Sequence, residues 1–542
     1  MRKVTLLLLL LSITPMTVHA HLSTVHVDRK EVPSFIGYVE DEVVVRFQPG
    51  SIPTSSQDIL VNGKTGNQRV DTLGRRHKVA SVRQMFGSVK IQDTPSPQQH
   101  LSGWYKIKFS EKRDIPSIVA EYKNLPDVVD VQPIGIHTVS LEPNDPVFSS
   151  QWHLDPLESH GINAPGAWDL QTGNQRIIVA VLDTGVRYFH KDLGGSQASY
   201  SNPEYAGGNM WINQAEQSGI SGEDDDGNGY VDDWIGWDFV NNTTSCWSGE
   251  DCLEPDNDPR DFNGHGTHCA GIIGAITNNG YAAAGLAGGW GNEELEAAAD
   301  GVRIMALRVG WSDSYSGQEV GYVRMDFAAE ALRYAADNGA RIASCSWGAS
   351  DTGGISAAID YFIESGGIIF KAAGNANTTE ADDMCLRDDI ICVAATDDAG
   401  CKSSFSNYGD WVDLSAPGSD ILSLYHLHSD PENDYMAYMS GTSMATPLAA
   451  AAAALVWSQA PGALTSDDLL SFLYNQAEDI SDLSCNADYD GLLGTGQAAP
   501  DRSLSAYIAS VPAISYSMTG FIILILLILG AARLRHHRML MR

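Results

Sequence analysis

Three short glycine-rich segments contain the side chains that could carry out chemistry. They are Val-Leu-Asp-Thr-Gly-Val around Asp183, Asn-Gly-His-Gly-Thr-His-Cys-Ala-Gly around His265 and Ser-Gly-Thr-Ser-Met-Ala-Thr-Pro around Ser443. A serine hydroxyl becomes a nucleophile only when a base removes its proton, and a third group must hold that base in the right tautomer. Asp183, His265 and Ser443 supply these groups, so the sequence predicts acyl transfer through a serine ester.

The order of these groups along the chain separates families of serine hydrolases. Asp, His and Ser follow one another in the subtilisin order, which differs from the orders of chymotrypsin and of the α/β-hydrolases. The three motifs resemble those of the subtilisin-like serine proteases, or subtilases, and most of all the bacterial thermitase-like branch. The resemblance extends from Pro143 to about Leu473. It implies a serine endopeptidase, a hydrolase that acts on protein and peptide substrates.

The resemblance also implies a role for each catalytic residue. Asp183 would orient His265 and stabilise its imidazolium form, and His265 would act first as base and then as acid. Ser443 would be the nucleophile at the start of a predicted helix, Met444–Trp457, whose positive end favours a developing oxyanion. In a fourth motif, Ala-Ala-Gly-Asn, Asn375 would donate its side-chain amide to that oxyanion together with the N–H of Ser443.

Two segments are similar to the walls of the family's first specificity pocket. One is Ser346-Trp347-Gly348, whose extended backbone would pair with a substrate as an added strand. The other contains Gly374. Trp347 departs from the family pattern, which has Leu or a similar residue at that position. Its ring would either reshape a substrate subsite or pack outward.

Parallel β-structure is predicted around these motifs, because short β-rich runs alternate with helical runs. Catalytic groups would then lie at strand ends and helix starts. The resemblance implies a three-layer subtilisin-like α/β fold with a mostly parallel central sheet, formed by residues 141–505. The predicted strands are Ile177–Leu182, Ile304–Val309, Ile342–Ser346, Ile368–Ala372 and Ile391–Ala395, and Asp326–Asn338 is a predicted helix.

Residues 21–140 form a separate predicted unit ahead of the catalytic domain. Glu42–Phe47 and Trp104–Phe109 alternate like half-buried strands and Ile115–Leu125 like an amphipathic helix, which indicates a small α+β domain. Its position resembles that of the subtilase propeptide, which templates folding and then inhibits the active site until it is cut. An accessory domain that stays attached is the alternative. We expect maturation cleavage between about Gly135 and Gln151.

Both ends of the chain carry apolar runs that indicate export. Residues 1–20 have a charged start, an apolar stretch and a small-residue cleavage site, as in a signal peptide. Residues 511–532 form a second apolar run, and the basic tail 533–542 that follows favours a cytoplasmic tail and an external protease. A permanent membrane anchor and a sorting signal removed after export both fit this pattern.

The charge balance of the chain is strongly acidic, with a formal net charge of −34 and a pI of about 4.6. The phosphate backbone of a nucleic acid would be repelled, so we predict no nucleic-acid partner. A solvated extracellular surface with cation sites fits this composition better.

A loop of closely spaced carboxylates predicts a calcium site. Asp224, Asp226 and Asn228 occupy positions 1, 3 and 5 of an EF-hand-like loop. Position 12 lacks the usual Glu, and Asp232 or Asp233 is the candidate substitute.

The resemblance implies a second calcium site in the same domain. Asp192, in His-Lys-Asp-Leu, matches the family's calcium-ligand aspartate, and Asp145 would join it with backbone groups near residues 277–282. An ordinary surface carboxylate is the alternative for Asp192. Calcium would contribute to stability and take no part in the chemistry.

Eight cysteines in an exported chain indicate disulfides. The local pairs Cys246–Cys252 and Cys385–Cys392 are the first expected, whereas Cys401 and Cys485 could pair or stay free. Cys345 lies in a predicted core strand and is expected as a buried thiol. Cys269 lies one helical turn from the predicted catalytic histidine, and some subtilases have a Cys there.

Two other classes of protein account for part of the sequence. A kexin-type processing protease would suit the C-terminal helix, but too little chain follows Ser443 for the β-rich domain of those enzymes. A surface adhesin on an inactive protease fold would not need the complete set of Asp183, His265, Asn375 and Ser443. We therefore predict an exported serine endopeptidase, made as a self-processing zymogen and held at, or released from, the cell envelope.

Overall fold

The chain divides into two compact units, one formed by Val27–Ser140 and one that begins at Leu141. The predicted signal peptide, the C-terminal apolar run and the basic tail lie outside the described residues. Within the described residues, no helix is both long enough and apolar enough to cross a membrane. The computed structural model describes residues 35–48, 51–52, 59–61, 64–86, 103–137, 142–155, 160–243, 245–295 and 300–510.

The N-terminal unit is an antiparallel sheet packed against helices. Val43 and Val45 lie on the same face of the first strand and pack in one buried cluster with Ile118 and Tyr122 of a helix. The elements are β1 Phe35–Phe47, β2 Ile59–Val61, α1 Gln68–Arg76, β3 Val79–Gln84, β4 Trp104–Phe109, α2 Ile115–Lys123 and β5 Val128–His137. The sheet order is β2-β3-β4-β1-β5. Both predicted strands and the predicted helix are confirmed, whereas a propeptide role stays a prediction.

The second unit alternates strands and helices along most of its length. Its strands are β6 Ile178–Asp183, β7 Gly236–Asp238, β8 Arg303–Arg308, β9 Gly310–Tyr315, β10 Gln318–Val323, β11 Ile342–Cys345, β12 Ile368–Ala372, β13 Ile391–Thr396, β14 Leu414–Pro417, β15 Ile421–Tyr425 and β16 Tyr435–Met439. Its helices are α3 Ala164–Trp168, α4 Lys191–Gly194, α5 Gln214–Gln217, α6 His265–Gly274, α7 Met325–Asp337, α8 Ile355–Glu364, α9 Thr442–Ser458, α10 Ser466–Gln476 and α11 Pro500–Ser510.

Seven parallel strands form the central sheet of this unit, in the order β14-β13-β12-β11-β6-β8-β7. Val179 and Val181 of β6 belong to the buried cluster that includes α6 and α9. Ala180 and Leu182 belong to the cluster on the other face, which includes α7 and α8. Near-continuous apolar strands are expected when helices cover both faces of a parallel sheet. The predicted three-layer subtilisin-like α/β fold is therefore confirmed.

The sequence predicted the long central elements best. All five predicted strands and the helix at residues 326–338 are present, with ends that differ by at most one residue. The helix expected from Met444 begins at Thr442, so Ser443 lies inside its first turn. The hairpins β9–β10 and β15–β16 and the three-residue strand β7 were not predicted, because short or polar strands lack a clear hydrophobic period.

Three disulfides cross-link the second unit. Cys246–Cys252 and Cys385–Cys392 are local and confirm the two expected pairs. Cys401 pairs with Cys485 across 84 residues of sequence. Cys269 and Cys345 are free and buried, as expected for Cys345.

The long-range disulfide contributes most to stability in a chain-entropy view. Replacing Cys401 and Cys485 by Ser should lower the free energy of unfolding by about 4–5 kcal/mol, because a closed loop of this length restricts the unfolded chain most. The same change at Cys246 and Cys252, which are six residues apart, should cost about half as much. Denaturant midpoints of the two double variants would test this order, and equal midpoints would contradict it.

Candidate active site and cation sites

The predicted catalytic aspartate is buried at the end of β6. Asp183 is the last residue of this strand and is 2% exposed. Its Oδ1 lies 2.7 Å from Nδ1 of His265 and also accepts the backbone N–H of Thr184 at 2.8 Å. A proton held on Nδ1 leaves Nε2 of His265 free to accept one, which is the tautomer that a general base needs.

His265 begins α6, where glycine neighbours permit a close approach of backbone segments. Gly264 has φ +98°, and a Cβ added at Gly266 would lie 2.1 Å from the carbonyl oxygen of Gly185. Burial alone would lower the pKa of His265. The charge and the hydrogen bond of Asp183 together raise this pKa by more than burial lowers it, so it lies above the ordinary value of 6.5. The imidazolium is thus stabilised, as proton transfer from a serine requires.

A second buried carboxylate, Asp261, holds the turn that carries His265. Its Oδ1 accepts the hydroxyl of Thr184 and the N–H of Gly264, both at 2.9 Å. Its Oδ2 accepts the N–H and the hydroxyl of Thr267 at 2.9 and 2.6 Å. Sequence reasoning missed this residue, because its hydrogen bond to Thr184 joins positions that are 77 residues apart in the sequence.

Ser443, the predicted nucleophile, lies in the first turn of α9. Its Oγ donates to the carbonyl oxygen of Ser346 at 3.0 Å, and the Ser346 hydroxyl donates back to the carbonyl oxygen of Ser443 at 2.9 Å. Catalytic hydrogen bonds of a free enzyme often form only when substrate binds. In this structure the Ser443 hydroxyl therefore donates to the predicted substrate-binding segment at Ser346.

Two N–H donors face one small space beside the nucleophile. Oδ1 of Asn375 accepts the N–H and the hydroxyl of Thr442 at 2.9 and 3.0 Å, which fixes the orientation of its amide. A Cβ added to Gly441 would lie 3.4 Å from Nδ2 of Asn375 and 3.6 Å from the backbone N of Ser443. Both nitrogen atoms therefore border the same small space, which is the placement that an oxyanion hole requires.

Buried side chains fix the segment that carries Asn375. The N–H of Gly374 donates to the Thr442 hydroxyl at 3.0 Å, and Gly374 has φ +102°. Asn407 accepts the N–H groups of Ala376 and Thr378 and donates to the carbonyl oxygen of Ala373. Sequence reasoning did not single out Asn407, because nothing in its local sequence marks it.

The other predicted substrate segment begins at Ser346 and continues through Trp347 and Gly348. The indole of Trp347 donates to the carbonyl oxygen of Leu182 at 2.7 Å and is partly buried against the core. A Cβ added at Gly348 would meet no atom within 4 Å, so this segment borders open space. Contact of these residues with a substrate stays a prediction.

Cys269 lies close to the catalytic residues without being a rival nucleophile. Its Sγ donates to the carbonyl oxygen of Ser443 at 3.5 Å, and the side chain is fully buried. Burial raises the pKa of this thiol well above its ordinary value, so it stays protonated.

The predicted EF-hand-like loop gathers a set of carboxylates that only partly matches the expected ligands. Asp226 lies within 4.8 Å of Glu216 and Asp233, measured between ligand oxygens. Oδ2 of Asp233 accepts the amide of Asn228 at 2.9 Å. Asp233 is one of the two predicted substitutes for the missing Glu, whereas Glu216 was not in the predicted ligand set. Glu216 lies outside the loop, on α5, so the spacing of the loop carboxylates did not indicate it.

Two predicted ligands of this loop accept backbone N–H groups. Oδ1 of Asp224 accepts the N–H of Gly227 at 2.8 Å, which shapes the turn. Oδ2 of Asp232 accepts the N–H of Gly222 at 2.7 Å. The structure does not bring Asp224 or Asp232 into the three-carboxylate group. Their role as calcium ligands stays a prediction.

The second predicted calcium site contains two buried carboxylates close together. Oδ2 of Asp145 accepts the N–H of Asn278 at 2.6 Å, whereas its Oδ1 is buried without a hydrogen-bond partner. Asp192 is fully buried and accepts N–H groups from Asn279 and Ala283. Burial raises the pKa of Asp145 to about 7, and burial together with the charge of Asp145 raises that of Asp192. An orphaned buried oxygen beside a second carboxylate fits a calcium ion.

The residues of this site lie in a region that matches a known protein family. The model of the subtilase family matches residues 174–498, which is more than half of the chain. The chain belongs to the subtilase family of serine proteases. It is 35% identical over 340 residues to thermitase from Thermoactinomyces vulgaris, an alignment that covers 62% of this chain and 92% of thermitase. The predicted thermitase-like branch is confirmed.

Two further proteases are also similar to this chain. An extracellular protease of Xanthomonas campestris is 30% identical over 392 residues, covering 71% of this chain and 60% of that protein. A solved protease structure from Pseudoalteromonas arctica has 26% sequence identity and a TM-score of 0.50, and it covers 68% of this chain and 99% of that chain. As a subtilase, the protein is a hydrolase of the serine endopeptidase type.

The oxyanion donor of this subtilase can be tested with two substitutions. Asn375→Ala should lower kcat by about 10²–10³-fold with little change in KM, the loss known for the equivalent donor of subtilisin itself. Asn375→Asp keeps an acceptor for Thr442 but removes the N–H donor, so it should lose at least as much. Steady-state kinetics on a peptide substrate would measure both. Full activity of the Asp variant would mean that Asn375 only positions Thr442.

Calcium dependence of this subtilase can be tested by chelation. EGTA should lower Tm by at least about 5 °C, because a ligand that binds only the folded state stabilises it. Asp192→Asn should lower Tm in calcium and shrink the response to EGTA, since one buried anion of the pair is lost. Scanning calorimetry with and without calcium would report both effects. An EGTA-independent Tm for the parent protein would refute the calcium prediction.

Proposed function

We propose that this subtilase is an exported endopeptidase that cleaves peptide bonds in proteins through a Ser443 ester and matures by cutting itself. The observation that carries the proposal is the convergence of the Asn375 amide and the Ser443 N–H on one space beside Gly441. The Asp183–His265 hydrogen bond supplies the base for the same nucleophile. A binding protein on an inactive protease fold would have no use for such an arrangement.

The proposed acylation uses only side chains of this chain. Nε2 of His265 takes the hydroxyl proton while Oγ of Ser443 attacks the carbonyl carbon of the scissile bond. The carbonyl oxygen becomes an anion between the Asn375 amide and the N–H of Ser443. His265 then gives its proton to the leaving amine as the C–N bond breaks, and Asp183 stabilises the imidazolium between these steps. Water, deprotonated by His265, hydrolyses the ester and restores Ser443.

Calcium enters the proposal as a structural ion. Asp145 and Asp192 would hold one ion together with backbone carbonyl groups of residues 277–282, and Glu216, Asp226 and Asp233 form the candidate group for another. When bound, calcium supplies positive charge that compensates buried carboxylates. No step of the peptide-bond chemistry uses it.

The N-terminal unit is proposed as the propeptide. Its support is that residues 27–140 form a compact unit of their own ahead of the protease unit. A propeptide acts as an intramolecular inhibitor until it is cut, between about Gly135 and Gln151. An accessory domain would instead remain attached to the active enzyme.

Export and envelope attachment are proposed from the sequence of the two ends. Residues 1–20 have the pattern of a signal peptide, and residues 511–532 have that of an apolar segment followed by a basic tail. The Xanthomonas relative is an extracellular protease, which supports export of this chain. The C-terminal segment would hold the enzyme at the membrane until, or unless, it is removed.

Self-processing can be tested by comparing the parent protein with Ser443→Ala. The parent should have its N-terminus between about Gly135 and Gln151, whereas the variant should keep an N-terminus near His21, because it lacks the nucleophile. N-terminal sequencing and intact mass of the exported proteins would show this. A serine-directed phosphonate should label Ser443 of the parent. Identical N-termini in both proteins would contradict self-processing while leaving the phosphonate result to judge the enzyme.

A further inference from the structure

A single carboxylate connects the two segments that were predicted to form the walls of the specificity pocket. Oδ2 of Asp382 accepts the backbone N–H of Ala349 at 2.9 Å, on the segment that continues from Gly348. The same oxygen lies 2.7 Å from Nζ of Lys371, which precedes the segment leading to Asn375. Asp382 therefore connects the two predicted walls.

The two members of this ion pair differ in their access to solvent. The side chain of Lys371 is 0% exposed, whereas that of Asp382 is 23% exposed. Nζ of Lys371 also donates to the carbonyl oxygen of Ala372 at 2.7 Å, and burial lowers the pKa of this ammonium group. The carboxylate is thus the group that an incoming side chain can reach, and the ammonium lies behind it.

The acceptor capacity of Asp382 is not exhausted. A carboxylate offers about four lone-pair sites. Lys371 and the N–H of Ala349 use two on Oδ2, and the N–H of Cys385 uses one on Oδ1 at 3.1 Å. One acceptor position on Oδ1 is left for a donor. A Cβ added at Gly348 would meet no atom within 4 Å, so there is space in front of this segment.

The surrounding charges strengthen the attraction for cations. Residues 141–510 contain 55 of the 68 acidic residues and only 13 of the 34 Lys and Arg residues. The loop that carries Asp382 also holds Glu380 and Asp383. Its one basic residue, Arg387, is already paired with Asp360 and Asp389. The field at this pocket is therefore negative.

We propose that Asp382 forms the floor of the pocket for the substrate residue on the N-terminal side of the scissile bond and selects Lys or Arg there. The proposal rests on the proposed endopeptidase function. A cationic side chain would donate to the free position of Oδ1 and gain the negative field, whereas an acidic one would be repelled. A neutral aliphatic side chain of equal length would gain neither interaction.

The test uses matched peptide substrates that differ only at this residue, with Lys, norleucine or Glu. The parent enzyme should cleave the Lys substrate with a kcat/KM about tenfold above that of norleucine, and the Glu substrate worst. Asp382→Asn should reduce the Lys-to-norleucine ratio to about one, since a neutral amide holds no charge. Asp383→Asn is the matched control. That neighbouring carboxylate accepts the N–H of Asp351, and its loss should leave the ratio unchanged.

Two variants at Lys371 distinguish the effect of the Asp382 charge on substrate choice from a loss of the folded structure. Asp382→Asn leaves a buried ammonium without a counter-ion, so the double variant Lys371→Met with Asp382→Asn should restore the fold and still show a ratio near one. Lys371→Met alone removes the competing cation and should raise the ratio above that of the parent. Thermal melting and phosphonate titration would confirm that each variant is folded and active.

Each outcome decides between the two proposals. A parent enzyme that cleaves norleucine or Glu substrates as well as Lys overturns the role of Asp382, even if no variant folds. An unchanged ratio in both Asp382 variants does the same. A parent enzyme that cleaves none of the substrates and does not react with the phosphonate would overturn the endopeptidase function itself.

Discussion

The active site depends on the common edge at which parallel strands end. Because β6, β11 and β12 run in one direction, Asp183, Ser346 and the segment leading to Asn375 all emerge on the same side of the sheet. Helix α9 is packed on one face and brings the first-turn residue Ser443 to this edge. The sheet thus places Asp183, the predicted partner of the base, at the same edge as the predicted substrate segments and the segment of the predicted oxyanion donor Asn375. Glycine residues allow the close backbone approaches between these segments.

Much of this arrangement could be predicted because each catalytic group lies in a short segment with its own glycines. Asp183, His265, Asn375 and Ser443 were found in this way, and long buried strands were found from their apolar runs. Asp261 and Asn407 were not. Asp261 connects Thr184 to the turn before α6, and Asn407 binds backbone groups that are distant in the sequence, and only the folded chain brings these groups together. The carboxylate group of Glu216 was missed for the same reason. Local spacing reveals chemistry, whereas support by distant contacts is visible only in three dimensions.

Several of the few basic side chains of the protease unit are buried in ion pairs. Lys371 is fully buried, and Arg308 is buried between Asp238 and Glu250. Arg187 is 1% exposed and pairs with Asp434. Removing one partner of such a pair would leave an uncompensated buried charge, which is costly. Each of these cations lies beside at least one carboxylate, so the pairs leave the excess of negative charge on the surface nearly unchanged, and solvent-facing carboxylates dominate it.

The Cys401–Cys485 bridge has a consequence for a protease exposed to its own activity. The nucleophile Ser443 lies between the two bridged positions. A single nick in an exposed part of this stretch, such as the turn around residues 429–433, would leave both fragments covalently joined in an oxidising environment. A non-reducing gel would show the nicked chain at its full mass, and the two fragments would separate only after the disulfide is reduced. The bridge therefore keeps the C-terminal fragment, which contains the helix with Ser443, attached through Cys485 to the rest of the protease unit.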